Sequence, residues 1–351
     1  MAKRWQWLGL GLLIGLLGLG TGLHASANTV GFEVAPVASK AQVDQSVAYF
    51  DLKLKPKQTQ TLAVKVTNTS KTAITIYPSI AKATTNLNAA VEYKHIPADK
   101  SIDLPAHFEQ VVTTKTTQLK LKKGASKVVH FKVQMPQTAY NGVLVGGLTF
   151  LKKADKSQNK SSVAIKNQYS YTIAVVLHGK KDLTKNKLTL GAIKGSQSNH
   201  YNQITLALEN HTAAFLNQLK TSVKIYHQAG SKVVYQQKNE HGQMAPSSVY
   251  ELPLKLGKQA LKPGKYTAKV SVASKKQHWT FTKDFTITGD QAKNLNQTAV
   301  IDQQTNWWLW IVIGVLILLL LLLIIWYIYR KQRKIKDLEQ QLQEQKDQHK
   351  D

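Results

Sequence analysis

The sequence predicts an all-β protein: two immunoglobulin-like β-sandwich domains, preceded by a signal peptide and followed by one C-terminal transmembrane helix. Three observations lead there. Apolar residues between 28 and 306 recur with a period of two in short runs, the signature of half-buried antiparallel strands. Turn-forming pairs and glycines punctuate those runs. One unbroken apolar stretch near the C-terminus, Trp307 to Tyr329, ends abruptly on Arg330-Lys331-Gln332-Arg333-Lys334.

In chain order, Lys3 and Arg4 precede a Gly/Leu-rich apolar segment from about Leu8 to Leu23, and small residues follow at Ala25 and Ala27. This is the layout of a secretory leader with an A-x-A cleavage site, so residues 1–27 are read as a signal peptide. An uncleaved anchor is the competing reading. The strand pattern then begins. Leu62, Val64 and Val66 alternate with Ala63, Lys65 and Thr67, and Val129, Phe131 and Val133 alternate with His130 and Lys132. Ile204, Leu206 and Leu208 repeat the pattern, as do Tyr266, Ala268, Val270 and Val272. Asn141-Gly142, Pro263-Gly264, Gly124, Gly230 and Gly242 mark turns.

The polar run Lys152 to Ser162 divides the pattern, either as a linker or as the tip of a long hairpin. It sets the expected domains at 28–155 and 156–290. Residues 291–306 are polar, rich in Asn and Gln and free of Pro, and read as a stalk. Residues 307–329 follow as the membrane helix, because roughly 20 apolar residues at ~1.5 Å rise cross a ~30 Å hydrocarbon core. Trp307, Trp308 and Trp310 at one end, and Trp326, Tyr327 and Tyr329 at the other, supply interfacial rings. The basic tail, 330–351, is expected in the cytoplasm and 28–306 outside, which predicts a single-pass protein of the cell membrane. Ile335, Leu338 and Leu342 continue the helical spacing between charges.

Composition narrows the function. The chain has 351 residues, no cysteine and a formal charge of +27. Lack of cysteine removes disulfide frameworks, thiol nucleophiles, Cys-based zinc sites and lipoprotein acylation. Setting aside the leader and the tail leaves 38 basic and 15 acidic residues, about +23, on residues 28–306. Such a field attracts polyanions, and at the cell surface those are wall polymers such as teichoic acids and anionic lipid. No nucleic-acid fold or aromatic-interleaved basic segment appears.

Catalytic signatures are missing: no G-x-S-x-G, no H-E-x-x-H, no phosphate-binding glycine loop and no C-x-x-C. The eleven histidines do not pair at helical metal spacing, so neither a metal nor a cofactor is expected. The positive reading is binding without catalysis, on loops that mix amides and aromatic rings. Asn86, Asn88 and Tyr93 in one segment, and Tyr140 and Asn141 at a turn, are the candidate ligand-binding residues. Asn amides pair with sugar hydroxyls and peptide amides, while a Tyr ring offers a flat face with a polar tip. Ordinary turn formation is the competing role for each Asn. Trp279, in an alternating strand, reads as core.

The segments GFEVAPV (Gly31 to Val37), YFDLKLKPKQTQTLAVKVTNTS (Tyr49 to Ser70), ATTNLNAAVEY (Ala83 to Tyr93) and YNGVLVGGLTF (Tyr140 to Phe150) resemble the first domain of the WxL-interacting surface proteins of Gram-positive bacteria. NQYSYTIAVVLHG (Asn167 to Gly179), LKPGKYTAKV (Leu261 to Val270), WTFTKDFTI (Trp279 to Ile287) and AKNLNQTAV (Ala292 to Val300) resemble the second. The resemblance implies a first domain that binds peptidoglycan and a second that binds WxL-domain surface proteins or a host extracellular-matrix protein. That family usually has a Pro-Gly-Gln-like turn after the YFDL strand, where this chain has Lys57 between Pro56 and Gln58. The expected function is therefore a membrane-anchored surface adaptor. A wall-modifying enzyme and a strand-donating assembly chaperone are the alternatives.

Overall fold

The computed structural model describes residues 30–95, 102–153, 168–228, 230–302 and 307–348. The expected signal peptide, residues 1–27, lies outside them. The first sandwich is built from β1 (Phe32–Pro36), β2 (Phe50–Lys53), β3 (Thr59–Asn68), β4 (Ile74–Thr85), β5 (Val91–Tyr93), β6 (Val112–Thr113), β7 (Leu119–Leu121), β8 (Ser126–Gln134), β9 (Val143–Lys152) and β10 (Tyr169–His178). One sheet runs β1-β3-β8-β6, and the facing one runs β2-β10-β9-β4-β5 with β7 also on β4. Every pairing is antiparallel except β2 with β10.

The alternation read from sequence is the alternation observed. Leu62, Val64, Val66, Val129, Phe131 and Val133 all point inward and are buried. They meet Ile76, Leu148, Phe150 and Val175 of the facing sheet, with Phe131 edge-on to Phe150 at 5.9 Å between centroids. Burying each such side chain contributes roughly 1.5–3 kcal/mol, which makes this two-sheet contact the main source of stability in a cysteine-free domain.

The polar run after β9 joins two paired strands. β9 and β10 form an antiparallel ladder from Tyr169 opposite Lys152 to His178 opposite Val143, and Ile173, Val175 and Leu177 enter the first core. Of the two readings of Lys152 to Ser162, this geometry is that of the hairpin; most of the run falls outside the described residues.

The second sandwich comprises β11 (Leu188–Ser198), β12 (Tyr201–Asn210), β13 (Leu216–Asn217), β14 (Leu219–His227), β15 (Val233–Asn239), β16 (Gln243–Met244), β17 (Ser248–Lys255), β18 (Gly264–Ser274) and β19 (Gln277–Ile287). Sheets β11-β12-β17 and β15-β14-β18-β19 face each other, and β13 pairs with β16. Ile204, Leu206 and Leu208 meet Val223, Ile225, Ala268 and Val270 in the core. Tyr266 is buried with them; its hydroxyl donates to the Lys262 carbonyl at 3.0 Å, and its ring stacks on Phe285. Trp279 is partly buried against the same core.

The segment read as a stalk departs from that reading at its start. Gly289–Thr298 is a helix, capped by the Thr288 hydroxyl, which accepts from the Gln291 amide at 3.2 Å. Ala292 and Leu295, three apart, pack on the second core. Asn296 fastens the helix: its Oδ1 accepts from the Leu261 amide at 2.9 Å and its Nδ2 donates to the Leu261 carbonyl at 3.0 Å. A ten-residue helix has a weak period in a polar sequence, and docking rather than propensity stabilises it.

In each sandwich a fully buried asparagine closes a strand that forms part of the core, Asn68 in the first and Asn210 in the second. Asn68 ends β3, and its Nδ2 donates to the carbonyls of Thr72 (2.8 Å), Leu121 (3.2 Å) and Lys122 (3.0 Å) while its Oδ1 accepts from the Ser70 amide. Asn210 ends β12, and its Nδ2 donates to Ala214 (2.9 Å) and Ala245 (3.0 Å) while its Oδ1 accepts from the Thr212 amide. Both lie in an N-x-S/T triplet, but the side chain is spent inside the fold closing the following loop. Sequence reading did not single out either residue.

The two sandwiches meet at a hydrogen-bonded junction. The Val143 amide donates to Ala213 O at 2.7 Å, the Gln243 amide to Ala89 O at 2.7 Å, and the Ala245 amide to the Thr85 hydroxyl at 2.9 Å. Ala83, Val145, Val176 and Ala245 form a small apolar cluster there. Ala89, at the β4–β5 turn of the first sandwich, is 2% exposed and packs into the core of the second. C-terminal to both, Trp307–Gln348 forms one helix, which is ~63 Å long at 1.5 Å per residue. Its apolar window has a mean hydropathy of 3.3 with none of it buried in the protein.

Candidate functional site

Two clefts carry three of the five sequence-predicted residues, Asn86, Asn88 and Tyr140. The first lies at one end of the first sandwich, where β2, β8 and β10 end, and encloses about 480 Å³. Leu54, Met135, Pro136 and the Tyr140 ring line it, with Lys53 and Lys180 at its margin. The turn Lys55 to Gln58 borders it. Gln58 N donates to Lys55 O at 3.1 Å, with Pro56 at the second place and Lys57 at the third. Lys57 has φ 64, the left-handed geometry that the third place of a type II turn requires, here taken by lysine. A side chain there costs about 1–2 kcal/mol. We therefore expect Lys57→Gly to stabilise the fold by up to about 1 kcal/mol, read as a rise in the thermal midpoint.

Tyr140 is held from both sides. Its hydroxyl donates to Leu177 O at 2.9 Å, and burial pushes its phenol far above the ordinary tyrosine range, so it remains neutral and serves as cavity wall. Gly179 must lack a Cβ, because one would lie 2.3 Å from Tyr140 O. Asn141, next in the chain, is exposed at the turn into β9. His178 stands at the end of β10 with Nε2 2.6 Å from Asp51 Oδ1 and Nδ1 3.4 Å from Asp182 Oδ1. The His178–Asp51 pair was invisible in the sequence: its members are 127 residues apart and come together only because β10 lies parallel to β2.

The second cleft, about 520 Å³, lies where the β4–β5 hairpin meets β17. Thr84, Asn86, Asn88, Glu92, Lys94 and Glu251 line it together with Leu87 and Val249, so it presents more polar groups than the first cleft. Asn86 is occupied in the turn: its Oδ1 accepts from the amides of Asn88 (2.9 Å) and Ala90 (3.1 Å), which shapes the loop that delivers Ala89. Asn88 is exposed at that cleft. Tyr93 packs instead against Gly147 of β9, where a Cβ would come 2.6 Å from its ring, and burial raises its pKa. The structure thus places Asn86 and Asn88 together, sets Tyr93 against β9 and Tyr140 in the other cleft, and leaves Asn141 exposed outside both linings. Among the described residues, no group of three or more His, Asp or Glu converges as metal ligands.

Paired β-sandwiches with loop-lined clefts, followed by an apolar helix, define a two-module β-sandwich protein. Residues 32–152 match the family model described as WxL Interacting Protein, peptidoglycan binding domain, and residues 160–297 match WxL Interacting Protein, host binding domain. The chain belongs to the WxL Interacting Protein family, with its peptidoglycan-binding and host-binding domains in that order. No curated protein matches it. Solved structures with some likeness include the E. coli chaperone DraB, 14% identical, covering 73% of this chain and 98% of that one at a TM-score of 0.27. Another is the CsuC–CsuE chaperone-tip adhesion subunit pre-assembly complex of Acinetobacter baumannii, 13% identical, covering 63% and 89% at a TM-score of 0.30. Likenesses this distant say nothing of function.

Proposed function

We propose that this chain is a non-catalytic, membrane-anchored adaptor of the cell surface. Its first sandwich holds peptidoglycan and its second holds a WxL-domain surface protein or a host matrix protein. The observation that carries the reading is the pairing of a peptidoglycan-binding and a host-binding family domain in one chain, followed by a helix long and apolar enough to span a bilayer. Lys and Arg concentrated just after the apolar stretch of that helix favour a cytoplasmic tail and an external pair of sandwiches. The positive ectodomain adds screened attraction to teichoic acids.

Two measurements test this. The full chain in detergent micelles is expected to sediment with purified insoluble wall and release no soluble muropeptides; release would make it an enzyme. Protease applied to wall-stripped protoplasts is expected to remove the sandwiches and leave the basic tail, and digestion of the tail alone would invert the topology. Pulldown from wall extract, repeated at high salt, identifies a protein held by shape, since charge alone is lost there.

A further inference from the structure

The cavity at the end of the first sandwich has a chemistry unlike that of the junction cleft. Its floor is apolar, with Leu54 7% and Met135 4% exposed, beside Pro136 and the Tyr140 ring. The polar side-chain atoms nearest that floor are already engaged, the Tyr140 hydroxyl on Leu177 O and both His178 nitrogens on Asp51 and Asp182. What remains for a ligand is the Thr138 hydroxyl and three ammonium groups, Lys53, Lys55 and Lys180. Among the described residues none of the three enters an ion pair.

A glycan strand needs an array of donors and acceptors for its hydroxyls, and this cavity has few. A glycerol-phosphate polymer would use the lysines but has no apolar group for the floor. A short peptide with small apolar side chains and free carboxylates uses both, since lysine meets carboxylate as a point charge and methyl groups fill the wall. We propose that this cavity binds the peptide arm of peptidoglycan, with its free carboxylate on Lys53, Lys55 and Lys180 and its alanine methyls against Leu54, Met135 and Tyr140. The proposal rests on the reading of the first sandwich as peptidoglycan-binding, and it selects peptide over glycan as the part recognised.

Calorimetric titration tests it, using the full chain in detergent micelles at physiological salt. The probes are a synthetic wall-type pentapeptide ending in D-Ala-D-Ala, its C-terminal amide, an N-acetylglucosamine tetramer and glycerol phosphate. The free acid is expected to bind and the amide to bind roughly tenfold more weakly, as loss of a charge-assisted contact implies. The Lys55→Gln/Lys180→Gln double variant is expected to lose the acid by a similar factor while keeping its thermal midpoint. Equal binding of acid and amide overturns the proposal. So does binding of the tetramer or glycerol phosphate that the double variant abolishes. Sedimentation with whole wall separates the two levels of inference. If wild type sediments and the double variant does so equally well, the cavity assignment fails and the peptidoglycan reading stands. If wild type does not sediment, that reading fails.

Discussion

Asn68→Ala is expected to destabilise the first sandwich by about 2–3 kcal/mol, because one fully buried side chain bonds four backbone groups. Truncation removes a donor from the carbonyls of Thr72, Leu121 and Lys122 and the acceptor of the Ser70 amide; Thr72 O keeps the Ser70 hydroxyl and Lys122 O keeps the Ala125 amide. Each unsatisfied buried polar group costs about 1–3 kcal/mol, although water entering the gap recovers part of that. Asn68→Asp is expected to be no better, since it exchanges the donor for a second acceptor facing carbonyls. Asn210→Ala should act on the second sandwich by the same route, with an added loss at the junction because Ala245 O is one of its acceptors. Hydrogen exchange read segment by segment checks this. Asn68→Ala should raise exchange in β3 and β8, and Asn210→Ala in β12 and β17. Uniform exchange in both variants would show that the asparagines are not local fasteners.

The second large effect is expected at the junction. Gly142 has φ 81, and a Cβ there would lie 2.1 Å from Ala213 O, the carbonyl that accepts from Val143. Backbone on backbone leaves nothing flexible to yield. Gly142→Val combines left-handed strain of about 1–2 kcal/mol with that clash, and the predicted outcome is loss of the Val143–Ala213 contact and separation of the sandwiches. Gly124 provides the control. It also has positive φ, 68, but a Cβ there meets nothing within 4 Å, so Gly124→Ala should cost only about 1–2 kcal/mol. Scanning calorimetry should resolve two thermal transitions in Gly142→Val and one in Gly124→Ala. A single transition in both would mean that this contact does not couple the modules.

The same contrast explains what was readable along the chain. Strands announced themselves because burial on one face forces alternation, and Leu62, Val64 and Val66, or Ile204, Leu206 and Leu208, show it without help from any partner. The terminal helix was legible for a similar reason: an apolar run of that length has few other uses. The segment 289–298 was not, because its polar composition hides a helix stabilised by Ala292, Leu295 and Asn296 against a surface 30 or more residues distant in sequence. The binding loops were only half legible. Asn and Tyr are the right residue types for a ligand, but Asn86 spends its Oδ1, and Tyr140 its hydroxyl, on the fold itself. No local pattern distinguishes an amide that faces solvent from one that closes a turn.

The sequence by itself determined the all-β class, the inward faces of the principal strands, the single long apolar helix, the excess of positive charge and the family. All of these follow from local periodicity, composition or motif order, which need no knowledge of which strand lies beside which. Only the tertiary structure decided that β10 returns to lie parallel to β2, bringing His178 to Asp51, and that Ala89 of one sandwich seats in the core of the other. It also decided that the lysines at 53, 55 and 180 share one apolar cavity. Those outcomes depend on pairing across large separations, and a period of two specifies the face a residue takes while leaving its neighbour open.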